Sequence, residues 1–297
     1  MHVAEQAMDT LWRRWFRGVR RVQDRPEWTA LVGSDWPERI MTVAATDDFH
    51  AKQGRSTGRW LVANYRGRLS VYLKRHYRLP RWRGLLATLW PTVGWSPALQ
   101  EWRHLQWARQ QGFPVPTAVA ACEYIGPHGR LQSVLAVEEL VGMQALHQAI
   151  PAAAARLDPR TFQKWKCGLV AELARLARTL HDRRWFHKDF YLCHFYIPSA
   201  DINRLPTDWR GRVHLIDLHR LAHHRWTYRL WQAKDLGQLL YSSDIEGIDT
   251  RDRLRFWQLY LGGHSRPRSM NWLRRLVLFK HWSYRRHNRH KQRRAAA

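Results

Sequence analysis

The order of apolar and polar positions along the chain predicts strands and helices that alternate irregularly. Residues 69–74 alternate between apolar and polar side chains, as a half-buried strand does. Residues 134–141 and 213–216 are apolar runs typical of short buried strands. Residues 161–180 repeat apolar side chains at spacings of three and four, which predicts a long amphipathic helix. Two shorter helices are expected at 97–108 and 231–240, so the chain is predicted to be an α+β protein.

A polar loop follows the long helix and carries the strongest chemical signal. Asp189 lies in this loop, His194 follows five positions later, and Asp217 ends the apolar run at 213–216. Phosphoryl transfer needs this order, with one carboxylate to orient an acceptor hydroxyl and further groups to hold a metal. We expect Asp189 to be catalytic, and His194 and Asp217 to be metal ligands. Asp235 is expected to accept hydrogen bonds from the loop backbone.

Upstream residues supply the parts that would hold a nucleotide. Lys74 ends a predicted strand, as does the lysine that contacts the α- and β-phosphates in kinases. Glu101 is the acid within reach on the next predicted helix, and we expect it to pair with Lys74. The segment Glu138–Leu140 ends a strand, and its backbone is expected to bind the adenine edge.

A glycine-containing segment precedes the Lys74 strand. Gly54 to Arg59 is predicted to be a turn between two strands whose N–H groups lie over phosphates. The predicted nucleotide contacts are Gly54, Ser56, Thr57 and Gly58. An ordinary hairpin with no phosphate contact explains this segment equally well.

These motifs together resemble a known family. The runs His187 to Phe195, Leu215 to Arg220 and Lys234 to Leu236 are similar to the lipopolysaccharide core heptose kinases of the WaaP/InaA group. The resemblance implies a two-lobed protein-kinase-like fold with a small β-rich N-lobe and a larger helical C-lobe. It also implies ATP and Mg²⁺ as cofactors and phosphorylation of a heptose hydroxyl of the lipopolysaccharide inner core in Gram-negative bacteria.

Two residues depart from these patterns. The family usually has Arg where this chain has Lys188, and an ammonium does not reproduce the planar fork of a guanidinium. His194 stands where protein kinases have Asn, and an imidazole is a less usual Mg²⁺ partner than an oxygen ligand.

No Phe-Gly follows Asp217 and no Ala-Pro-Glu follows it, so a protein substrate is not expected.

On this basis the chain is expected to have four parts. Residues 1–48 form a basic, Trp-rich N-terminal extension, 49–141 the N-lobe, 142–284 the C-lobe and 285–297 a basic C-terminal tail. Leu11, Trp12, Trp15, Phe16, Val19 and Val22 fall on one helical face, which predicts either an interfacial helix at a membrane or a surface helix that packs on the small lobe.

Charge and aromatic content indicate the partner. The formal net charge is +26 and the chain contains 18 Trp, a residue that favours membrane interfaces. The expected partners are the lipopolysaccharide core and lipid A glycolipid and the anionic inner-membrane surface. With no apolar run long enough to span a bilayer and no secretory signal, the protein is expected to be cytoplasmic and peripheral on the inner membrane.

Three other functions are compatible with parts of the sequence. Kdo or another core sugar is an alternative acceptor, and Lys188 with His194 keeps a catalytically weak pseudokinase possible. A nucleic-acid-binding protein would explain the charge, but the chain has no helix-turn-helix, zinc-finger or RNP-type motif, so no nucleic-acid partner is expected.

Overall fold

The computed structural model describes residues 11–45, 54–65, 67–91, 94–262 and 268–296, with side chains omitted for 268–270 and 289–296. The chain divides into two compact units. Unit 1 contains the described residues up to Gln110 together with Pro116–Leu140, and unit 2 contains Gln111–Val115 and the described residues from Val141 onward. Within the described ranges, no helix combines the length and apolarity needed to cross a membrane.

Unit 1 is built on a five-stranded antiparallel sheet with the order β1-β4-β5-β3-β2. Its strands are β1 (Val19–Asp24), β2 (Arg55–Asn64), β3 (Gly67–His76), β4 (Ala118–Gly126) and β5 (Arg130–Glu138). Its helices are α1 (Leu11–Phe16), α2 (Pro26–Val32), α3 (Trp36–Arg39), α4 (Arg81–Leu89) and α5 (Pro97–Gln110). The structure confirms the strand predicted at 69–74 and the helix predicted at 97–108.

Two buried tryptophans from α2 and α3 anchor the core of unit 1. Trp28 and Trp36 are each 1% exposed, and they meet edge to face with ring centroids 6.0 Å apart. They pack with Val71 and Leu73 of β3 and with residues of β4 and β5 in one hydrophobic cluster. Truncation of one such side chain costs on the order of 3–5 kcal/mol, so these helices belong to the core of the unit.

The continuous helix expected over residues 11–22 is wrong. α1 ends at Phe16, and Val19 and Val22 lie in β1, where Val22 pairs with Cys122 of β4. Gly18 breaks the helix because it has φ +77, a conformation that residues with a Cβ atom rarely adopt. The β-branched valines then favour a strand. The segment therefore contributes an edge strand to unit 1.

The turn expected at Gly54–Arg59 is also wrong. Ser56, Thr57 and Gly58 lie inside β2, where Thr57 pairs with Lys74 and Gly58 with Leu73. Ser56 and Gly58 face inward because side chains alternate along a strand, and the hydroxyl of Ser56 hydrogen-bonds to that of Tyr77 at 3.2 Å. Only Gly54 stands outside the strand, and its carbonyl accepts the N–H of Tyr77 at 2.7 Å. The segment is thus an edge strand.

Unit 2 is mainly helical. Its helices are α6 (Leu146–Arg156), α7 (Pro159–Asp182), α8 (Tyr228–Ser242), α9 (Thr250–Tyr260) and α10 (Arg268–Ala296). Its strands are short: β6 (Met143–Ala145), β7 (Trp185–Phe186), β8 (Phe195–Pro198), β9 (His214–Leu215) and β10 (Ala222–His223). The helices predicted at 161–180 and 231–240 are confirmed, whereas the strand predicted at 213–216 is only two residues long.

The long helix α7 forms for reasons visible in its sequence. Asp158 caps its N-terminus by accepting the N–H groups of Arg160 and Thr161, and Pro159 occupies the first turn. Trp165, Leu169, Leu173, Leu176 and Leu180 recur at three and four positions and are buried. α7 packs against α9 and ends just before the loop that carries Asp189.

The C-terminal helix α10 packs directly on α8. Gly237 permits this contact, because a Cβ atom there would lie 2.7 Å from the Cβ of Lys280. Leu273 and Val277 of α10 are buried. The basic residues expected in the tail include Arg289, Lys291, Arg293 and Arg294, whose side chains lie outside the described part of the chain.

Candidate functional site

An ion pair joins β3 to α5 inside unit 1. The ammonium of Lys74 lies 2.6 Å from Oε1 of Glu101, and the Glu101 side chain is 4% exposed. Removing one partner of such a pair leaves a buried charge without compensation, which costs on the order of 3–5 kcal/mol. The pair therefore fixes the position of Lys74 at this end of the sheet.

The end of β5 is tied to the rest of unit 1. The N–H of Glu138 donates to the carbonyl of Thr117 at 2.8 Å, and the N–H of Glu139 donates to the carbonyl of Ser70 at 2.9 Å. The carboxylate of Glu139 accepts from Nε of Arg59 at 2.7 Å. Leu140 is the last residue of unit 1. The expected adenine-binding segment is thus held by hydrogen bonds on both sides of its chain.

In unit 2, one face of α8 holds the backbone of the Asp189 loop. Asp235 accepts the N–H groups of His187 and Lys188, each at 2.8 Å, as the sequence predicts. Gln238 accepts the N–H of Phe190 at 2.9 Å and donates to the carbonyl of Lys188 at 3.0 Å. These two helix residues are three positions apart and therefore lie on the same face.

The support of this loop extends one further turn along α8 and into the unit 2 core. Ser242, four positions after Gln238, accepts the N–H of Leu192 at 3.0 Å through its hydroxyl. Asp235 is fully buried, and Nε2 of the buried His181 lies 3.4 Å from its carboxylate. Buried polar groups of this kind hold a loop rigidly only when each has a partner.

The loop is also tied to the segment that carries Asp217. Nε2 of His187 donates to the carbonyl of Ile216 at 2.9 Å. Burial lowers the pKa of His187, so the neutral ring is favoured. Lys188 and Asp217 both adopt left-handed backbone conformations, with φ +69 and φ +62. Such conformations cost of order 1–3 kcal/mol in residues other than glycine, and the surrounding hydrogen bonds maintain them.

Asp189 is paired with a residue that the sequence analysis did not select. Nη1 of Arg220 lies 3.0 and 3.1 Å from the two carboxylate oxygens of Asp189. Arg220 is half-exposed and belongs to the short 3₁₀ helix that follows Asp217. This pair holds the Asp189 carboxylate in one orientation.

His194 contacts both loop carboxylate residues. Its Nδ1 donates to the backbone carbonyl of Asp189 at 2.6 Å, and its Nε2 lies 4.0 Å from Oδ2 of Asp217. Burial lowers the pKa of His194, but contacts with Cys193 and with the Asp189 carbonyl outweigh burial and raise the pKa to about 9. Nδ1 is thus occupied by the Asp189 carbonyl, and Nε2 is the ring nitrogen that faces Asp217.

Asp217 fits the requirements of Mg²⁺. Its carboxylate is about one-third exposed, and Oδ1 accepts from Nδ1 of His219 at 2.9 Å. Mg²⁺ is commonly held by one or two carboxylates together with substrate phosphates. Among the described residues, no group of three or more His, Cys, Asp or Glu side chains is arranged to hold a metal ion by itself. A site completed by phosphates is consistent with that arrangement.

The predicted site residues thus fall into two groups, one in each unit. Lys74 and Glu101 meet in unit 1, and Asp189, His194 and Asp217 meet in unit 2. The residues that sequence reasoning missed are Arg220 and Gln238. The sequence contained a clue to both residues. Arg220 is the last residue of the Leu215–Arg220 motif, and Gln238 lies one helical turn after Asp235.

Comparisons with known proteins show the family of the chain. Residues 44–260 match the model of the lipopolysaccharide kinase (Kdo/WaaP) family. The chain is 32% identical over 178 residues to lipopolysaccharide core heptose(I) kinase WaaP of Pseudomonas aeruginosa, covering 60% of this chain and 63% of that protein. It is 35% identical over 97 residues to the same kinase of Escherichia coli K12, covering 32% of this chain and 34% of that protein. The alignments thus span less than two thirds of these relatives.

A solved structure shares the fold. The structure of WaaP in complex with acyl carrier protein has a TM-score of 0.61 and 26% identity, and the match covers 88% of this chain and 99% of that chain. The expected protein-kinase-like fold, with an antiparallel sheet followed by a helical region, is confirmed.

The support of the loop by α8 can be tested with Asp235→Asn. The amide keeps one acceptor but turns an NH₂ group towards a backbone N–H, so we expect the free energy of unfolding to fall by about 1–3 kcal/mol. The amide hydrogens of His187 and Lys188 should exchange faster with solvent. Asp182→Asn, at an exposed carboxylate on α7, is the control and should change neither quantity. Unchanged exchange at both amides in Asp235→Asn would contradict the role of α8.

Proposed function

Because the chain belongs to the lipopolysaccharide kinase (Kdo/WaaP) family, we propose that it transfers a phosphoryl group from ATP to a heptose hydroxyl of the lipopolysaccharide core. The observation that carries the proposal is the loop held by α8, which presents Asp189 beside the segment of Asp217. A phosphoryl transfer site works mainly by positioning and electrostatic stabilisation, and a rigid loop of this kind supplies both.

Residues of unit 1 are proposed to bind the nucleotide. Lys74, held by Glu101, would contact the phosphates, since a fixed ammonium offsets their negative charge. The backbone at Glu138 and Leu140 would bind the adenine edge. Ser56, Thr57 and Gly58 are not assigned a phosphate contact, because they lie inside an edge strand.

Residues of unit 2 are proposed to carry the chemistry. Asp189 would orient the acceptor hydroxyl and take its proton, once Arg220 yields one carboxylate oxygen. Asp217 would hold Mg²⁺, which when bound neutralises charge on the phosphates. His194 would keep the backbone at Asp189 in place through its 2.6 Å hydrogen bond.

The proposal also covers the acceptor sugar and the cellular location. The matched relatives are heptose(I) kinases, which supports heptose over Kdo or another core sugar. The Lys74–Glu101 pair supports an active enzyme over a pseudokinase, because it holds an ammonium in position for the phosphates of a nucleotide. We propose that the protein acts on its glycolipid at the inner face of the inner membrane.

An exposed apolar surface on unit 1 supports membrane association. We call it the α1/α4 surface, and it consists of Leu11, Trp12, Phe16, Trp82, Leu85, Leu89 and Trp90, each at least 41% exposed. α1 and α4 contact each other and the 3₁₀ turn Pro127–Gly129. Trp82, Leu85 and Leu89 share one face of α4, and Trp12 stacks on Phe16 with ring centroids 5.2 Å apart.

Arginines border the α1/α4 surface. Arg13 and Arg17 lie in or beside α1, and Arg81 and Arg83 lie in the first turn of α4. Exposed tryptophans flanked by cations are suited to the headgroup region of an anionic bilayer, where each cation contributes about 1 kcal/mol. We propose that this surface docks on anionic lipid.

A cavity in unit 2 supports a second partner. It has a volume of about 310 Å³ and is lined mainly by apolar side chains of α7, α8, α9 and α10, among them Val170, Leu240, Leu254, Trp257 and Leu278. Arg253, Arg274 and His281 also line it. The similar WaaP structure contains acyl carrier protein. We propose that this chain also binds an acyl carrier protein and that the cavity receives its acyl group.

The proposed reaction can be tested with Asp189→Asn. Purified protein, ATP and heptose-containing core oligosaccharide should give a product heavier by one phosphate, and the variant should lower transfer by about 10²-fold or more. MgATP binding should change little, because Asp189 acts on the acceptor. Lys74→Ala should weaken MgATP binding as well as turnover, and Asp182→Asn should behave as the wild type. Normal transfer by Asp189→Asn would overturn the assignment.

Membrane docking can be tested with the double variant Trp12→Glu/Trp82→Glu. Sedimentation with phosphatidylglycerol-rich vesicles should show binding at least about 10-fold weaker than that of the wild type, because two charges replace interfacial rings. Trp226→Glu changes an 84% exposed tryptophan of unit 2 and is the control. Equal binding to zwitterionic vesicles, or insensitivity to salt, would argue against an anionic surface. A deletion of residues 1–24 cannot replace this double variant as a test of membrane docking, because it would also remove β1 from the sheet of unit 1.

The acyl carrier protein proposal predicts that the acylated carrier binds more tightly than the unacylated carrier. Leu254→Glu, at the cavity, should weaken binding of purified hexadecanoyl carrier protein by about 10-fold or more, since it places a charge against the acyl chain. Leu259→Glu lies on the same helix outside the cavity lining, is similarly exposed, and is the matched control. Equal affinity for the two carrier forms would exclude the cavity as the acyl site.

A further inference from the structure

A tryptophan beside the Asp189 loop holds two lysine side chains. The ammonium of Lys188 lies 4.4 Å from the ring centroid of Trp231, and that of Lys234 lies 5.3 Å from it. The ring of His224 stacks on the same indole at 4.6 Å. Cations are attracted to the face of an aromatic ring, and such contacts limit the conformations of long side chains. Trp231 therefore presents two ammonium groups together.

Arg220 places a third cation near these lysines. Burial lowers the pKa of Lys188, and the positive charge of Arg220 lowers it further. Burial and Arg220 lower the pKa of Lys234 in the same way. The guanidinium of Arg220 in turn contacts Asp189. Since Lys188 precedes Asp189 in the chain and Arg220 contacts Asp189, these cations lie next to the proposed catalytic carboxylate.

Carboxylates in this region oppose the charge of the lysines only from a distance: Asp235 acts to raise the pKa of both lysines, and Asp189 acts to raise that of Lys234, but burial and Arg220 outweigh them. In the part of the chain that the structure describes, neither Lys188 nor Lys234 has an Asp or Glu oxygen within ion-pair distance. Asp189 is engaged by Arg220, and buried Asp235 accepts the two N–H groups of the loop. Grouped cations without a matching anion are the arrangement that binds carboxylate or phosphate groups in proteins.

We propose that Lys188, Lys234 and Arg220 form a subsite for an anionic group, a carboxylate or a phosphate, carried by the acceptor near the hydroxyl that is phosphorylated. This inference rests on the proposed function, because it assigns the subsite to the acceptor of that reaction. Lys188 and Lys234 bind the anionic group directly. Arg220 lies between this group and Asp189, so acceptor binding draws its guanidinium away from one Asp189 oxygen and leaves that oxygen for the hydroxyl.

Lys188 differs from the arginine that the resemblance implies at this position. An arginine has a planar fork that suits two parallel hydrogen bonds, whereas an ammonium is a compact charge. Here the ammonium rests against the face of Trp231. A second ammonium, that of Lys234, lies over the same ring.

The test measures acceptor binding without ATP, so its result does not depend on turnover. Isothermal titration calorimetry with the full chain compares Lys188→Gln and Lys234→Gln with wild type, using core oligosaccharide. Each variant should bind about 10-fold more weakly, because one charge-assisted contact is lost. Lys234→Arg should restore most of the affinity. Lys164→Gln removes one exposed charge from α7 and is the matched control.

Two modified acceptors identify the anionic group. Reducing the carboxylates to alcohols should abolish the difference between wild type and variants if the group is a carboxylate, and removing phosphates should do so if it is a phosphate. The inference is overturned if the glutamine variants bind intact acceptor like the wild type, if wild type does not bind it, or if their loss persists on both modified acceptors. It is also overturned if the variants lose affinity for MgATP instead, since the lysines would then serve the nucleotide.

The proposed function and the subsite can fail separately. If wild-type protein transfers no phosphate to any core acceptor but shows lysine-dependent binding of the anionic oligosaccharide, the reaction is wrong and the subsite stands. If transfer occurs and binding is independent of both lysines, the reaction stands and the subsite is wrong.

Discussion

The arrangement of unit 2 depends on one face of α8. Its side chains accept backbone hydrogen bonds from a loop, as a neighbouring strand would in a sheet. The backbone of residues 187–192 has no long strand partner, and its N–H groups are accepted by Asp235, Gln238 and Ser242 of α8. A buried N–H without an acceptor costs about 1–3 kcal/mol, so several such bonds decide whether the loop has one conformation. The backbone at Lys188 and Asp189 takes its position from this contact.

Unit 1 meets a different constraint, since it must hold a buried charge. Glu101 is almost fully buried, and Lys74 compensates its charge directly. Trp28 and Trp36 pack on Val71 and Leu73 of β3, the strand that also carries Lys74. The N-terminal segment therefore supports the strand of the proposed nucleotide contact, although its residues would touch neither nucleotide nor acceptor.

Some of these features follow from sequence and others do not. The period of α7 and the spacing from Asp189 to Asp217 are local patterns, so a single sequence reveals them. The fate of Val19 and Val22 depended on pairing with β4, about a hundred residues away, and helical periodicity over a short segment is compatible with either structure. The turn prediction for residues 56–58 is wrong for a similar reason. Glycine is typical of turns in a sequence, and here Gly58 lies in an edge strand instead. The contact of Arg220 with Asp189 and that of His194 with the Asp189 carbonyl are seen only in the folded chain.

The left-handed backbone at Lys188 and Asp217 sets a limit on how stable such a protein can become. A glycine at either position would relieve the backbone strain, and would at the same time remove a cation or a carboxylate from the loop. Selection for thermal tolerance alone would therefore favour the substitutions that empty the site. Homologues from warm habitats should gain their stability elsewhere, in the core of unit 1 or between α8 and α10, where the chemistry places no demand on the backbone.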